Sequence, residues 1–327
     1  MPIRGCLLKC SISLGVAMNL PRRPGIKAYG WLSRLHVVAR GSSRTRITNL
    51  NCCAPHPLRE DIRQAVAHMG TAKLQNPPLI EVIFEIRWDL QEREDGVRFD
   101  PHAKIFPGRL SSALGEEYPV YEELPTSDIP DEISGYIVQH RFRRAKGSWP
   151  LVQVGPGIVT LNDIESYEWQ DFQRRIEGVL DALFQEYPDT SLLATNEVVL
   201  RYLDAYPFDF EKENVAEFLS AKLGVQNQIS PAFFEAIGVS PVPIGVDFKY
   251  SFPSQRPPGY LHVGFSRGRV KGRDSVIGET IVQSPETDGP RTKDEILSWV
   301  SEAHALTHTW FFTMIEGDLL EEFACRR

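Results

Sequence analysis

Pro77-Pro-Leu-Ile-Glu-Val-Ile-Phe-Glu-Ile-Arg-Trp88 alternates without a break: Ile80, Val82, Phe84, Ile86 and Trp88 fall on one side, Glu81, Ile83, Glu85 and Arg87 on the other. Successive side chains of a strand point to opposite faces, so this period of two predicts a half-buried strand over 79–88, introduced by the proline pair. Its apolar face needs a covering layer. Over 168–187 the set Trp169, Phe172, Ile176, Val179, Leu180 and Leu183 recurs at three- and four-residue spacing and makes one apolar helical face, which Pro188 terminates.

Between these two elements the pattern predicts a helix over 101–117, capped by Asp100 and interrupted at Pro107, then strands over 133–143 and 151–161. The second of these strands turns at Gly155-Pro-Gly157. A further strand over 196–206 completes a β-α-β-β-α-β order, that of the ferredoxin-like unit, which many unrelated proteins share. The second half reads as short helices over 215–223 and 231–237, the turn Ser240-Pro-Val-Pro243, strands over 245–252, 260–265 and 276–282, and a long helix over 292–323. That helix carries the stripe Ile296, Trp299, Val300, Ala303, Thr307, Trp310, Phe311 and Met314. The expectation is an α+β protein of two sheet-and-helix subdomains, 69–206 and 207–327, behind a disordered or mistranslated extension, 1–68.

Charge separates that extension from the body. Of 36 basic and 43 acidic residues, eleven and two lie in 1–68, which leaves 25 and 41, a net −16, for the rest. Cys6, Cys10, Cys52 and Cys53 also fall in the extension, so Cys325 alone remains in the body and no disulfide can staple it. The extension admits three readings: an upstream region in front of a true start at Met69, a basic nucleic-acid-binding tail, or a cleaved targeting segment. The apolar run 12–20 is too short and interrupted to span a membrane.

From about Asn76 to Phe323 the chain resembles a sporadically distributed family of uncharacterised prokaryotic proteins. The resemblance rests on Pro78-Leu79, Glu81-Val82 and Arg87-Trp88 in the first strand, Val154-Gly155-Pro156, and Leu200-Arg-Tyr-Leu203. It extends to the helix start Tyr167 and Trp169, and to Trp299 with Ala303-His304 in the last helix. It implies a shared α+β fold and an accessory role linked to mobile elements or defence, with no catalytic residues to carry over. One departure is Asp204, where the resemblance leads one to expect asparagine.

Candidate chemistry is sparse. His304 and His308 stand four apart, the spacing that offers two imidazoles to one metal, but Ala305 replaces the glutamate of a zinc-protease helix and no third ligand is evident. Against the metal pair stands a packed His304 and a solvated His308. The polar side of the first strand offers Glu81, Glu85 and Arg87, and other strands add Arg141, Arg143, Arg201, Asp204, Asp247 and Lys249. Such alternation can hold Mg²⁺ and phosphate, or can be cross-strand ion pairs on a wet face. Ser266-Arg-Gly-Arg-Val-Lys-Gly-Arg273 predicts a basic hairpin whose Arg267, Arg269, Lys271 and Arg273 offer a grip for phosphates or an acidic partner. No nucleotide cradle, nucleophile elbow or dinucleotide fingerprint occurs.

The sequence therefore predicts a cytoplasmic binding or accessory protein with no cofactor and no metal, using Glu81, Glu85, Arg87, Arg201 and Asp204 to meet another protein. Nucleic acid is disfavoured by the acidic body, no membrane contact is expected, and self-association stays open. The alternative is a Mg²⁺-dependent phosphohydrolase with Glu81 and Glu85 on the metal and Arg87, Arg143 and Arg201 on phosphate.

Overall fold

The computed structural model describes residues 74–165 and 167–324, so the expected extension 1–68 lies outside the described residues. Strand β1 (Leu79–Trp88) buries Val82, Phe84, Ile86 and Trp88 and half-exposes the residues between, as its alternation requires. After a two-stranded ribbon, β2 (Gln91–Glu92) and β3 (Arg98–Phe99), come helix α1 (Phe106–Leu114) and edge strand β4 (Val120–Glu123). Strands β5 (His140–Arg143), β6 (Leu151–Gly155) and β7 (Ile158–Asp163) follow, then α2 (Trp169–Glu186) and β8 (Thr195–Pro207). The short helices α3 (Val215–Leu223) and α4 (Pro231–Ile237) both end on left-handed glycines, Gly224 and Gly238, as helix stops commonly do. Strands β9 (Asp247–Gln255), β10 (Pro258–Val270) and β11 (Arg273–Gln283) precede α5 (Lys293–Met314) and α6 (Asp318–Ala324).

All nine long strands form one antiparallel sheet in the order β4-β5-β6-β7-β1-β8-β11-β10-β9. The junction between the halves of the chain is the pairing of β8 with β11, from Ser275 opposite Pro207 to Gln283 opposite Val199. The mixed α+β class is as expected, whereas the sheet runs without interruption through the boundary placed at 206–207. Cross-strand hydrogen bonding is indifferent to sequence separation, and both long helices cover the same face. There Phe172, Ile176, Val179 and Leu180 of α2 and Ile296, Val300 and Ala303 of α5 meet Phe84 of β1 and Leu200 of β8 in one core.

Several elements differ in extent from the reading of the sequence. Within 133–143 only the last four residues are strand, because Tyr136 adopts φ 63° and breaks the extended run. The stretch 151–161 turns at Gly155-Pro-Gly157 as expected, forming the hairpin of β6 and β7 with Gly157 at φ 75°. The last helix stops at Met314, since Gly317 at φ 101° turns the chain before α6. Strand β4 lacks any apolar alternation strong enough to announce it. Among the described residues no helix is long and apolar enough to cross a membrane.

Candidate functional site

The residues expected to share one surface are divided between the two faces of the sheet. Glu81, Glu85 and Arg87 on β1 and Arg201 on β8 lie on the face away from the long helices. Asp204, an odd number of positions from Arg201, lies on the helix-covered face with Val198, Leu200 and Tyr202. The charged groups of the outer face are largely occupied with one another. Arg87 meets Glu85 at 2.6 Å and Glu197 at 3.5 Å, Arg201 pairs with Glu279, and Lys249 reaches Glu279 at 3.2 Å. Glu81 accepts from the Asn162 amide at 2.9 Å. Arg141 donates twice to Gln153, and Arg143 bonds Glu122 and the Ser148 carbonyl. Burial raises the Glu85 carboxyl, and the Arg87 guanidinium opposes that shift. The Nε atoms of Arg87 and Arg201 are buried without a partner. No group of three or more metal-ligating side chains occurs among the described residues.

The basic hairpin forms as expected, with Lys271 and Gly272 at φ 49° and 80° making its two-residue turn. Arg267 and Arg269 both bond Asp274, at 2.8 and 2.9 Å, and Arg267 also donates to the Ile244 carbonyl and lies 4.4 Å over the Phe210 ring. Two of its four cations thus fasten the hairpin, while Lys271 and Arg273 are exposed.

The helix-covered face opens into a cavity of about 1140 Å³ between the segment entering β1, the start of α2, the end of β8 and the middle of α5. Its wall is an aromatic and hydroxyl chain. Trp169, the first residue of α2, stacks on His304 of α5 with centroids 3.8 Å apart and planes 11° from parallel. The Tyr202 hydroxyl lies 3.0 Å from His304 Nδ1 and 2.9 Å from the Tyr167 hydroxyl, so three elements are tied at one point. Burial, and secondarily the neighbouring His308, pull His304 down to about 3, which keeps its imidazole neutral across the physiological range. Burial likewise raises both tyrosine hydroxyls well above their ordinary range, so they act as hydrogen-bonding groups. His304 is packed, as expected. His308 departs from the solvated reading: it is half-buried with its ring 4.6 Å from Phe312.

Asp204 is 5% exposed and lines this cavity. No hydrogen bond or ion pair from the described residues reaches its carboxyl, and burial pushes it up to about 7. A buried carboxyl without a partner is costly, and groups perturbed in this way cluster at functional sites. Comparison of the chain with protein-family models, with curated proteins and with solved structures finds no match. The site is therefore defined by its own geometry. The signal for it was present in β8: Val198, Leu200, Tyr202 and Tyr206 share one parity, and Asp204 is the single acid among them. Tyr167, Trp169 and His304 could not be joined to that strand from the sequence, because each belongs to an element far away along the chain.

Proposed function

We propose that this chain is a binding protein whose small-molecule ligand occupies the cavity beside Asp204. One observation carries the reading: the carboxyl of Asp204, a residue only 5% exposed and without a partner among the described residues, lines a concave space bounded by Tyr167, Trp169, Tyr202 and His304. Ligand sites are concave and mostly apolar with a few placed polar groups, and about 300–1,000 Å³ is usual, so this cavity, at about 1140 Å³, is slightly larger than that range. The expected cytoplasmic, accessory role with a protein partner fits a ligand-responsive module and is kept within this proposal.

The test is native mass spectrometry of the full-length chain isolated gently from its own host. Ligand occupancy predicts an adduct that disappears in Ala305→Trp, a substitution at an exposed lining position of α5 that narrows the cavity. A chain that carries no adduct, and whose melting temperature responds to nothing in a broad metabolite library, would exclude the reading.

A second reading keeps the phosphohydrolase, supported by the unpartnered Nε atoms of Arg87 and Arg201, which could donate to phosphate oxygens. It predicts Mg²⁺-dependent phosphate release from nucleoside triphosphates that Glu85→Gln abolishes. Release unaffected by that substitution, or absent across a nucleotide panel, would remove it.

A further inference from the structure

We infer that the ligand of this cavity is an organic amine, bound with its ammonium group on the Asp204 carboxylate and its apolar body along the aromatic wall; the inference rests on reading the cavity as the ligand site. The first ground is the need of Asp204 itself. An ionised carboxylate only accepts hydrogen bonds, and nothing among the described residues donates to this one. The nearby hydroxyls of Tyr202 and Tyr167 are engaged with each other and with His304 Nδ1.

The second ground is the charge of the wall. Of the described residues that line the cavity, Asp204, Asp163, Glu165 and Glu168 carry carboxyls on its side of the sheet, and none is a lysine or arginine. Its two imidazoles cannot offset them, because burial lowers both His304 and His308. An anionic ligand would enter against this wall with no lysine or arginine among the described lining residues to receive it. A neutral ligand would leave Asp204 either protonated or buried as a lone charge. An ammonium group supplies both the charge and the donors that are missing.

The third ground is the surface the rest of the ligand would touch. Tyr167, Trp169, Tyr202, Phe311 and Phe312 line the same space. Aromatic faces attract cations electrostatically and bury the methylene or aryl body that most biological amines carry. Asp163, Glu165 and Glu168 can receive a second ammonium group where the amine has one.

The test is calorimetric titration of the full chain with probes matched in size but not in charge: phenethylamine, 2-phenylethanol and phenylacetate, with spermidine as a polyvalent amine. An amine should bind while the alcohol and the acid do not, and its affinity should fall at least about tenfold in Asp204→Asn. A similar loss is expected for the wild-type chain on going from pH 8 to pH 5.5, as Asp204 takes up its proton among Tyr202, Tyr206, Tyr167, His304, His308 and Asp163. Because Asp204→Asn removes a buried charge, it should fold at least as well as the wild type, so lost binding would not reflect lost structure. Binding of phenylethanol or phenylacetate as tight as that of the amines, or full retention of amine affinity in Asp204→Asn, would overturn the amine inference and leave the cavity reading standing. No heat from either amine would also overturn it, and the cavity reading would then be decided by the adduct and its loss in Ala305→Trp.

Discussion

Burial of the Asp204 carboxyl raises its folded-state pKa to about 7 from an ordinary 3.8. Between those values the folded chain holds a proton that the unfolded chain has released. The contribution of this group to stability is therefore intact below pH 3.8 and is lost as pH rises through 7. Asp204→Asn should consequently melt several degrees higher than the wild type at pH 8, a gain on the order of 2–4 kcal/mol, and match it near pH 4. Thermal melts of the two proteins across that range check the sign, and a penalty at pH 8 would show that the carboxylate is paired. His304 works in the opposite direction. Its pKa is lowered from 6.5 to about 3, so its contribution is complete above 6.5 and is lost as pH falls toward 3. His304→Phe, which keeps a ring against Trp169 but cannot take a proton, should flatten the acid limb of the melting profile between those values. The charge of both side chains was plain in the sequence, but their titration was not, because desolvation depends on what other elements bring against them.

Strand β6 and its hairpin with β7 show how one backbone atom can decide an element. A Cβ on Gly155 would stand 2.0 Å from the Ile137 carbonyl oxygen, so the chain before β5 can lie against the hairpin only if this position has no side chain. Gly155→Ala should cost about 3 kcal/mol in a denaturant titration. The next segment explains part of that sensitivity. Gly157 N–H donates to Asp100, which also accepts from Tyr187, itself bonded by the Trp88 indole. Helix α5 begins on a reciprocal cap in which the Thr292 hydroxyl accepts from Glu295 N–H and the Glu295 carboxylate accepts from Thr292 N–H. Thr292→Ala should cost about 1 kcal/mol by the same measurement. Elements with a strong period, β1, α2 and the first five turns of α5, were legible because burial of one face leaves a regular trace. The short strand β4 and the irregular 133–139 segment were not, since their backbone is set by contacts with partners remote in the chain.

The continuous sheet makes the two halves of the body interdependent. Strands β8 and β11 each bury one face beneath α2 and α5, and cutting the sheet between them would expose Leu200 and Val282, both fully buried. Unfolding by denaturant should therefore give coincident transitions by far-ultraviolet circular dichroism and tryptophan fluorescence. Two separated transitions would instead mark 206–207 as a division between folding units. The cavity depends on the same closure, because its wall takes residues from β1, α2, β8, β11 and α5.

Local periodicity and charge, readable along the chain, established the α+β class, the strand over 79–88, the two long helices, the basic hairpin and the acidic residues available for a site. They also placed Asp204 among the residues of interest. The face on which Asp204 lies follows from strand parity, but its isolation there depends on α5 bringing His304 and Phe312 over β8, and on α2 laying Trp169 across that imidazole. Joining the halves into one sheet likewise required β11 to find β8 across a separation of about seventy residues. Hydrogen bonds and desolvation act through space, so a pattern along the chain can announce which residues will be buried without stating which of them will meet.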